Sequence, residues 1–401
     1  MSSQPPVGEP APADGSLPDD ARTAAAQRPL SLYVHVPYCA VRCGYCDFNT
    51  YTAADLGSEP GTGQDAYLGA IRAELDLAVR VLGTPAVDTV FFGGGTPTVL
   101  APGALAGILD AIRNRFPLAP DAEVTTEANP ETVDAAALDA LVAAGFTRLS
   151  LGMQSGVEHV LAVLERRHTP GQVPRVVAAA RRAGFRDVSL DLIYASPGES
   201  PADWQASLDA AIALEPDHLS AYSLIVEPGT KLAARVARGE LNAADDDTQA
   251  DYYAAADAAL SAAGYAWYEV SNWAKPGHEC RHNLAYWRSG NWWGLGPGAH
   301  SHVEGVRWWN VRHPRDYTAR LQAGASPAQG REHLDEAARH VERVMLGLRL
   351  AEGVEAGVLT ATERDRLPGF VAGGLAHVGD RVRLTDSGRL LADAIVRDLL
   401  D

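Results

Sequence analysis

The chain has 401 residues, 46% of them hydrophobic, and a formal net charge of −17, which suits one large domain with a smaller appendage and a sizeable core. The acidic balance argues against a nucleic-acid footprint and against electrostatic attachment to anionic lipid, both of which need basic excess. No apolar run approaches the roughly 18 residues of a transmembrane helix and no basic-then-apolar leader marks secretion, so a reducing, cytoplasmic setting is expected.

Residues 1–28 are rich in Pro, Ala, Asp, Gly and Ser and nearly empty of large apolar side chains, which predicts a disordered tail. From residue 31 strand-like and helix-like segments alternate. Strands are predicted over residues 32–36, 87–92, 123–128, 148–151, 188–194 and 219–224, and helices over 64–82, 104–116, 132–144, 173–183 and 203–214. Gly145 and Gly184 stand where two of these helices need a C-cap. Repeating strand–helix units imply right-handed crossovers and a parallel sheet, hence an α/β fold. A partial (β/α)6 barrel is the expected form, with a doubly wound sheet as the alternative by pattern alone. In either fold ligands gather at the carboxyl ends of the strands.

The densest chemical signal follows the first strand. Cys39, Cys43 and Cys46 form a C-x3-C-x2-C array within Tyr33-Val-His-Val-Pro-Tyr-Cys-Ala-Val-Arg-Cys-Gly-Tyr-Cys-Asp-Phe48. Three thiolates on a tight loop can hold three irons of a cubane cluster and leave the fourth open, as a catalytic zinc centre keeps one position open. A structural zinc site would want a fourth ligand at finger-like spacing. His35 falls on a strand face, where a satisfied histidine is the ordinary outcome. Disulfides are disfavoured by clustered thiols in a large chain without a secretory leader, and inert thiols are the remaining reading.

Further polar residues sit at predicted strand ends. Gly93-Gly-Gly-Thr-Pro97 follows the second strand, where glycines let backbone N–H groups approach a ligand; a tight strand-to-helix turn is the plain alternative. No Gly-Lys-Ser/Thr follows, and Rossmann spacing is absent, so a phosphate cradle is the weaker reading. Glu127 ends the third strand and Gln154 lies just past the fourth. Asp191 interrupts an apolar strand, where a carboxylate is costly unless paired; Arg166, expected on the helix after Gln154, is its candidate partner.

A long alanine-rich helix is expected over residues 243–263. Residues 265–309 then hold every tryptophan except Trp204, together with His278, Cys280, His282, His300 and His302. Aromatics beside a histidine suit a flat, metal-bearing ligand such as a porphyrin; an aromatic core closing the open side of a partial barrel is the alternative. Cys280 is either a second ligand or a buried hydrophobe. From about residue 316 the alternation ends. Helices are predicted over 334–350 and 362–367, the latter stopped by Pro368-Gly369, then a hairpin turning at Gly379-Asp380 and a helix over 387–400. The expected layout is a tail (1–28), a barrel (29–265), an aromatic segment (266–315) and a winged-helix-like C-terminal domain (316–401).

The cysteine array with an aromatic before its last member, Tyr45, resembles the signature of radical S-adenosylmethionine enzymes. The wider Tyr33-x-His-x-Pro-Tyr-Cys-x3-Cys-x-Tyr-Cys-x-Phe48 resembles the oxygen-independent coproporphyrinogen oxidase family, which contains both decarboxylating oxidases and HemW-type heme chaperones. The resemblance implies a radical-SAM barrel and a [4Fe–4S] cluster on Cys39, Cys43 and Cys46, served by an electron donor. It implies S-adenosylmethionine contacts from Tyr33, Tyr45, Gly94, Gly95, Thr96, Glu127, Gln154, Arg166 and Asp191. The His-Asn-x-x-Tyr-Trp run from His282 to Trp287 resembles the heme motif of the chaperone branch, with His282 as ligand. The oxidases carry a further cysteine two residues beyond the third, where this chain has Phe48. Both features point to a chaperone that binds heme and passes it to acceptor hemoproteins such as respiratory cytochromes. Oxidative decarboxylation of coproporphyrinogen III is the enzyme alternative, and a radical S-adenosylmethionine methyltransferase a third.

Overall fold

Short aliphatic runs separated by amphipathic helices bury both faces of each strand only when the strands pair in parallel with the helices outside. The computed structural model, which describes residues 8–401, has that arrangement. After a two-residue edge strand, β1 (Glu9–Pro10), come β2 (Leu30–Val36), β3 (Val87–Gly94), β4 (Leu118–Ala128), β5 (Arg148–Gln154), β6 (Asp187–Tyr194) and β7 (His218–Ser223). Strands β2 to β7 lie in chain order and every neighbouring pair is parallel. The order never reverses, so the alternative of a doubly wound sheet is set aside. The helix Gln64–Leu82 has its predicted bounds, and Gly145 and Gly184 close their helices at φ 98° and 99°.

The aromatic stretch extends this sheet at both edges. Strands β8 (Ala266–Glu269) and β9 (Asn272–Ala274) add antiparallel to β7. On the other side β10 (Asn291–Leu295) runs parallel to β2, followed by antiparallel β11 (His300–Val303), β12 (Val306–Asn310) and β13 (Ala328–His333). Trp273, Trp293, Trp308 and Trp309 are buried, so much of the tryptophan-rich segment is core.

Three sequence expectations change. The stretch from Glu9 to Ala25 is packed rather than disordered: Glu9 and Pro10 pair with Arg331 and Gly330, and the helix Asp19–Ala25 buries Ala21 and Ala25 beside Leu17. An alanine stripe at helical spacing packs closely with little apolar bulk, which composition alone undervalues; residues 1–7 of the expected tail lie outside the described residues. The boundary expected near residue 316 falls inside the helix Pro314–Gln322, and the main sheet continues to His333. Pro368 does not end its helix, which runs Ala361–Ala372 with Leu367 buried against the small core; that packing outweighs the roughly 3 kcal/mol an interior proline costs. The C-terminal domain adds a third strand to the predicted hairpin: β14 (Val354–Glu355), β15 (Ala376–Val378) and β16 (Arg381–Leu384) in the order β14-β16-β15. Among the described residues no helix is long and apolar enough to cross a membrane.

One buried carboxylate joins the barrel to its extension. Glu74, on Gln64–Leu82, accepts from the Gly296 amide (2.8 Å), Asn310 Nδ2 (2.7 Å) and the Tyr317 hydroxyl (2.5 Å). Burial still lifts its carboxyl to about 7. A raised acid binds its proton more tightly in the folded chain, so this contribution is full below the ordinary carboxylate range and is lost as pH rises through about 7. Glu74→Gln cannot titrate. Its thermal midpoint should therefore gain on the wild type between about pH 5 and pH 8; a gap that does not change with pH would refute the buried titration.

Candidate functional site

Strands β2 to β7 end on one side of the sheet, and the loops beyond them enclose a cavity of about 530 Å³. Every residue singled out above as a cluster, S-adenosylmethionine or heme contact lines it, from Tyr33 and the three cysteines to Asp191 and His282. The cysteine loop leaves β2 and turns tightly, with the Cys46 amide on the Cys43 carbonyl at 3.2 Å. All three thiols are half-buried, and burial pushes Cys39 up to about 11. That thiol stays protonated at neutral pH unless a cation takes it as the thiolate.

The glycine turn after β3 touches this loop directly. The Gly95 amide donates to the Val36 carbonyl and the Thr96 amide to the Tyr38 carbonyl, each at 2.8 Å. Gly94 sits at φ +104°, and a Cβ there would stand 2.4 Å from the His35 ring. A Cβ at Gly95 would meet the Tyr38 carbonyl oxygen at 2.5 Å. His35 itself is satisfied, with Nε2 2.9 Å from the Asn49 carbonyl and Nδ1 3.1 Å from the Tyr33 hydroxyl, as expected of a strand histidine.

A polar chain runs between two of the cysteines. Arg166 donates through Nη1 toward Cys43 Sγ (3.6 Å) and through Nη2 to Asn129 Oδ1 (2.5 Å). Asn129 Nδ2 donates to Thr96 Oγ1 at 3.1 Å, and Thr96 Oγ1 lies 3.8 Å from Cys39 Sγ. Asn129 was not singled out in the sequence; its place directly after Ala128, at a strand end, was the available signal. Arg166 is not on a helix but in the loop after Glu158–Val163, and its expected pairing with Asp191 is absent. Asp191 instead accepts the Ser150 hydroxyl at 3.0 and 3.1 Å, and burial raises its carboxyl. The loop carries Arg166 up to the cysteines, away from the mid-strand position of Asp191.

Glu127 accepts the Gly94 amide at 3.2 Å and is raised to about 8, first by burial and then by Asp191. Gln154 ends β5 at φ 62°, a left-handed conformation that costs a non-glycine residue about 1 kcal/mol. The Nε of Arg166 is buried without a hydrogen-bond partner among the described residues. An acid held neutral, a strained strand end and an orphaned guanidinium nitrogen together fit a zwitterionic guest whose ammonium and carboxylate complete them.

His282 lies on the helix Arg281–Trp287, fully buried and stacked on Phe91 at 5.1 Å between ring centres. Its Nδ1 bonds Thr89 Oγ1 at 2.7 Å and its Nε2 the Tyr286 hydroxyl at 2.8 Å. Burial lowers the imidazole to about 3, so it is neutral. Cys280 caps the base of this helix, with Sγ 3.6 Å from Glu123 Oε1. It lines the same chamber but is not on the cysteine loop, which carries the other three thiols.

Residues 33–211 match the model of the radical SAM superfamily. The heme chaperone HemW of Mycobacterium tuberculosis is 54% identical over 374 residues, covering 93% of this chain and 95% of that protein. The heme chaperone HemW of Escherichia coli is 42% identical over 294 residues, 72% of this chain and 75% of that one. The coproporphyrinogen III oxidase HemN of Escherichia coli superposes with a TM-score of 0.81 across 96% of this chain and 94% of its own, at 24% identity, a likeness of fold. The chain is a member of the radical SAM superfamily. Within it, the chain belongs to the HemW family.

The contact between the glycine turn and the cysteine loop yields a test. Gly95→Ala should destabilise the chain by about 1–3 kcal/mol, the range for a forced clash in a packed site, because its new methyl meets backbone that cannot rotate away. Chemical denaturation checks this. An unchanged midpoint would mean the loop can move aside.

Proposed function

We propose that this protein is a heme chaperone, carrying a [4Fe–4S] cluster on Cys39, Cys43 and Cys46 with exchangeable S-adenosylmethionine, and passing heme to acceptor hemoproteins such as respiratory cytochromes. The observation that carries the cluster is the placement of three thiols on one tight loop at the edge of the chamber, with an arginine 3.6 Å from Cys43, while Cys280 stands off that loop against Glu123. When bound and reduced, the cluster with S-adenosylmethionine supplies one-electron chemistry. The chain's own residues do the holding. Gly94, Gly95 and Thr96 offer close backbone approach, Glu127 an acceptor for an ammonium group, and Arg166 a donor for a carboxylate. Tyr33, Tyr45, Gln154 and Asp191 complete the walls. The heme part rests on the relatives named heme chaperone and on His282, whose ring faces the chamber. For His282 Nε2 to ligate iron, the Tyr286 hydroxyl must first leave it. Reduced clusters and free thiols persist in a reducing compartment, which supports a cytoplasmic setting.

Replacing any one of Cys39, Cys43 and Cys46 by Ser should remove the visible absorbance of the reconstituted cluster; a retained spectrum would end the cluster assignment. Tyr286→Phe should strengthen heme binding several-fold by freeing Nε2, and His282→Ala should shift or weaken the Soret band. Titrations of both variants indistinguishable from wild type would move the ligand elsewhere. The oxidase alternative is tested by supplying coproporphyrinogen III, S-adenosylmethionine and a low-potential reductant without oxygen. No protoporphyrinogen is expected from a sample that binds heme stoichiometrically, and its formation would overturn the chaperone reading.

A further inference from the structure

The floor of the chamber differs from its mouth. Arg148 opens β5, about 20 Å of strand below Gln154 at the mouth. Its side chain is 2% exposed and lines the chamber. Nη1 donates to the His278 carbonyl at 3.0 Å and lies 3.8 Å from Glu123 Oε2. Nη2 has no hydrogen-bond partner among the described residues. Thr125 on β4 is the ladder partner of Arg148, is fully buried and lines the same chamber. Its Oγ1 likewise has no hydrogen-bond partner among the described residues. An unsatisfied buried donor is costly, and two on neighbouring strands whose residues line one cavity call for an acceptor. Glu123 is already engaged, accepting the Arg281 and His282 amides at 3.2 and 3.0 Å. The Ser150 hydroxyl is likewise given to Asp191.

We propose that Arg148 Nη2 and Thr125 Oγ1 form a carboxylate-binding floor inside the barrel, below the strand-end residues of the mouth. A carboxylate brings one negative charge and two coplanar acceptors, matching one guanidinium N–H and one hydroxyl. A phosphate dianion would face the buried carboxyls of Glu123 and Asp191 as well, and like charges at short range in a poorly hydrated space oppose it. The carboxylate has two sources: a propionate arm of heme, which rests on the chaperone reading, or a small carboxylic acid.

The test uses the full chain with its cluster reconstituted. Binding of hemin and of hemin dimethyl ester, whose propionates are blocked, is measured for wild type, Thr125→Val and Arg148→Lys. Thermal protection by sodium propionate is compared with sodium chloride at equal ionic strength. Thr125→Val removes only a partnerless hydroxyl, so its folding is expected to be intact. If heme supplies the carboxylate, wild type prefers hemin over the ester by about tenfold, the weight of one charge-assisted hydrogen bond, and both variants narrow that preference. If hemin and ester bind alike, or hemin does not bind, while propionate protects wild type more than Thr125→Val, the floor stands with a small acid as its guest. In the case of no hemin binding, the chaperone reading falls and the floor does not. Equal binding of hemin and ester together with propionate protection no greater than chloride would overturn the proposal. So would a Thr125→Val protein that treats every probe as the wild type does.

Discussion

Two backbone hydrogen bonds hold the site together. The β2–β3 ladder continues past the strand ends as Gly95 N–H to Val36 O and Thr96 N–H to Tyr38 O. These lash the glycine turn to the start of the cysteine loop. The far end of that loop is tied back by Tyr51 N–H to Pro37 O and Cys39 N–H to Tyr51 O, at 2.7 and 3.0 Å. The cysteines thus stand on a closed loop whose base is sheet. A site presented by a rigid scaffold keeps its geometry while its guests exchange. The side-chain path from Cys43 through Arg166, Asn129 and Thr96 to Cys39 adds a second tie that brings in two further elements, the loop after Glu158–Val163 and the end of β4.

Electrostatics explain why so much polarity is spent inside one barrel. Glu127, Asp191, Arg148 and Arg166 all line a common chamber, Arg148 fully buried and the other three partly so. Charges taken out of water cost several kcal/mol each unless matched, and here the matching is partial. Both carboxyls are raised by burial, while each arginine keeps one nitrogen unpaired among the described residues. A well-packed hydrophobic interior is often at least as stable. The retained polar groups are therefore read as functional, poised for guests carrying both an ammonium and carboxylates.

The sequence made the barrel legible because its strands are continuous apolar runs and its helices carry glycine stops, both local signals. Site residues were legible for a related reason: the cysteines, glycines, Glu127 and Gln154 sit at strand ends, where any parallel α/β sheet gathers ligands. Partners were not. Arg166 reaches Asn129 rather than Asp191 because a short loop, Glu165 at φ 56°, redirects it after Glu158–Val163. His282 looked like a free ligand because Tyr286, one turn away, could be foreseen but Thr89, 193 residues distant, could not. The N-terminal helix escaped because Ala21 and Ala25 pack by closeness rather than by bulk.

Fold alone cannot separate chaperone from oxidase, since the oxidase superposes over nearly the whole chain. The distinction must lie in the site and its rim. Phe48 is 64% exposed and Ile225 59% exposed, and both line the same chamber, as do the exposed Val41 and Tyr222. Burying a side chain of this size is worth about 1.5–3 kcal/mol, so leaving several in water around one opening is no folding requirement. A radical enzyme gains by sealing its substrate from solvent. A carrier gains by the reverse, an accessible apolar rim over which a flat apolar cargo can pass to another protein. The open, apolar mouth above a polar chamber answers the second need.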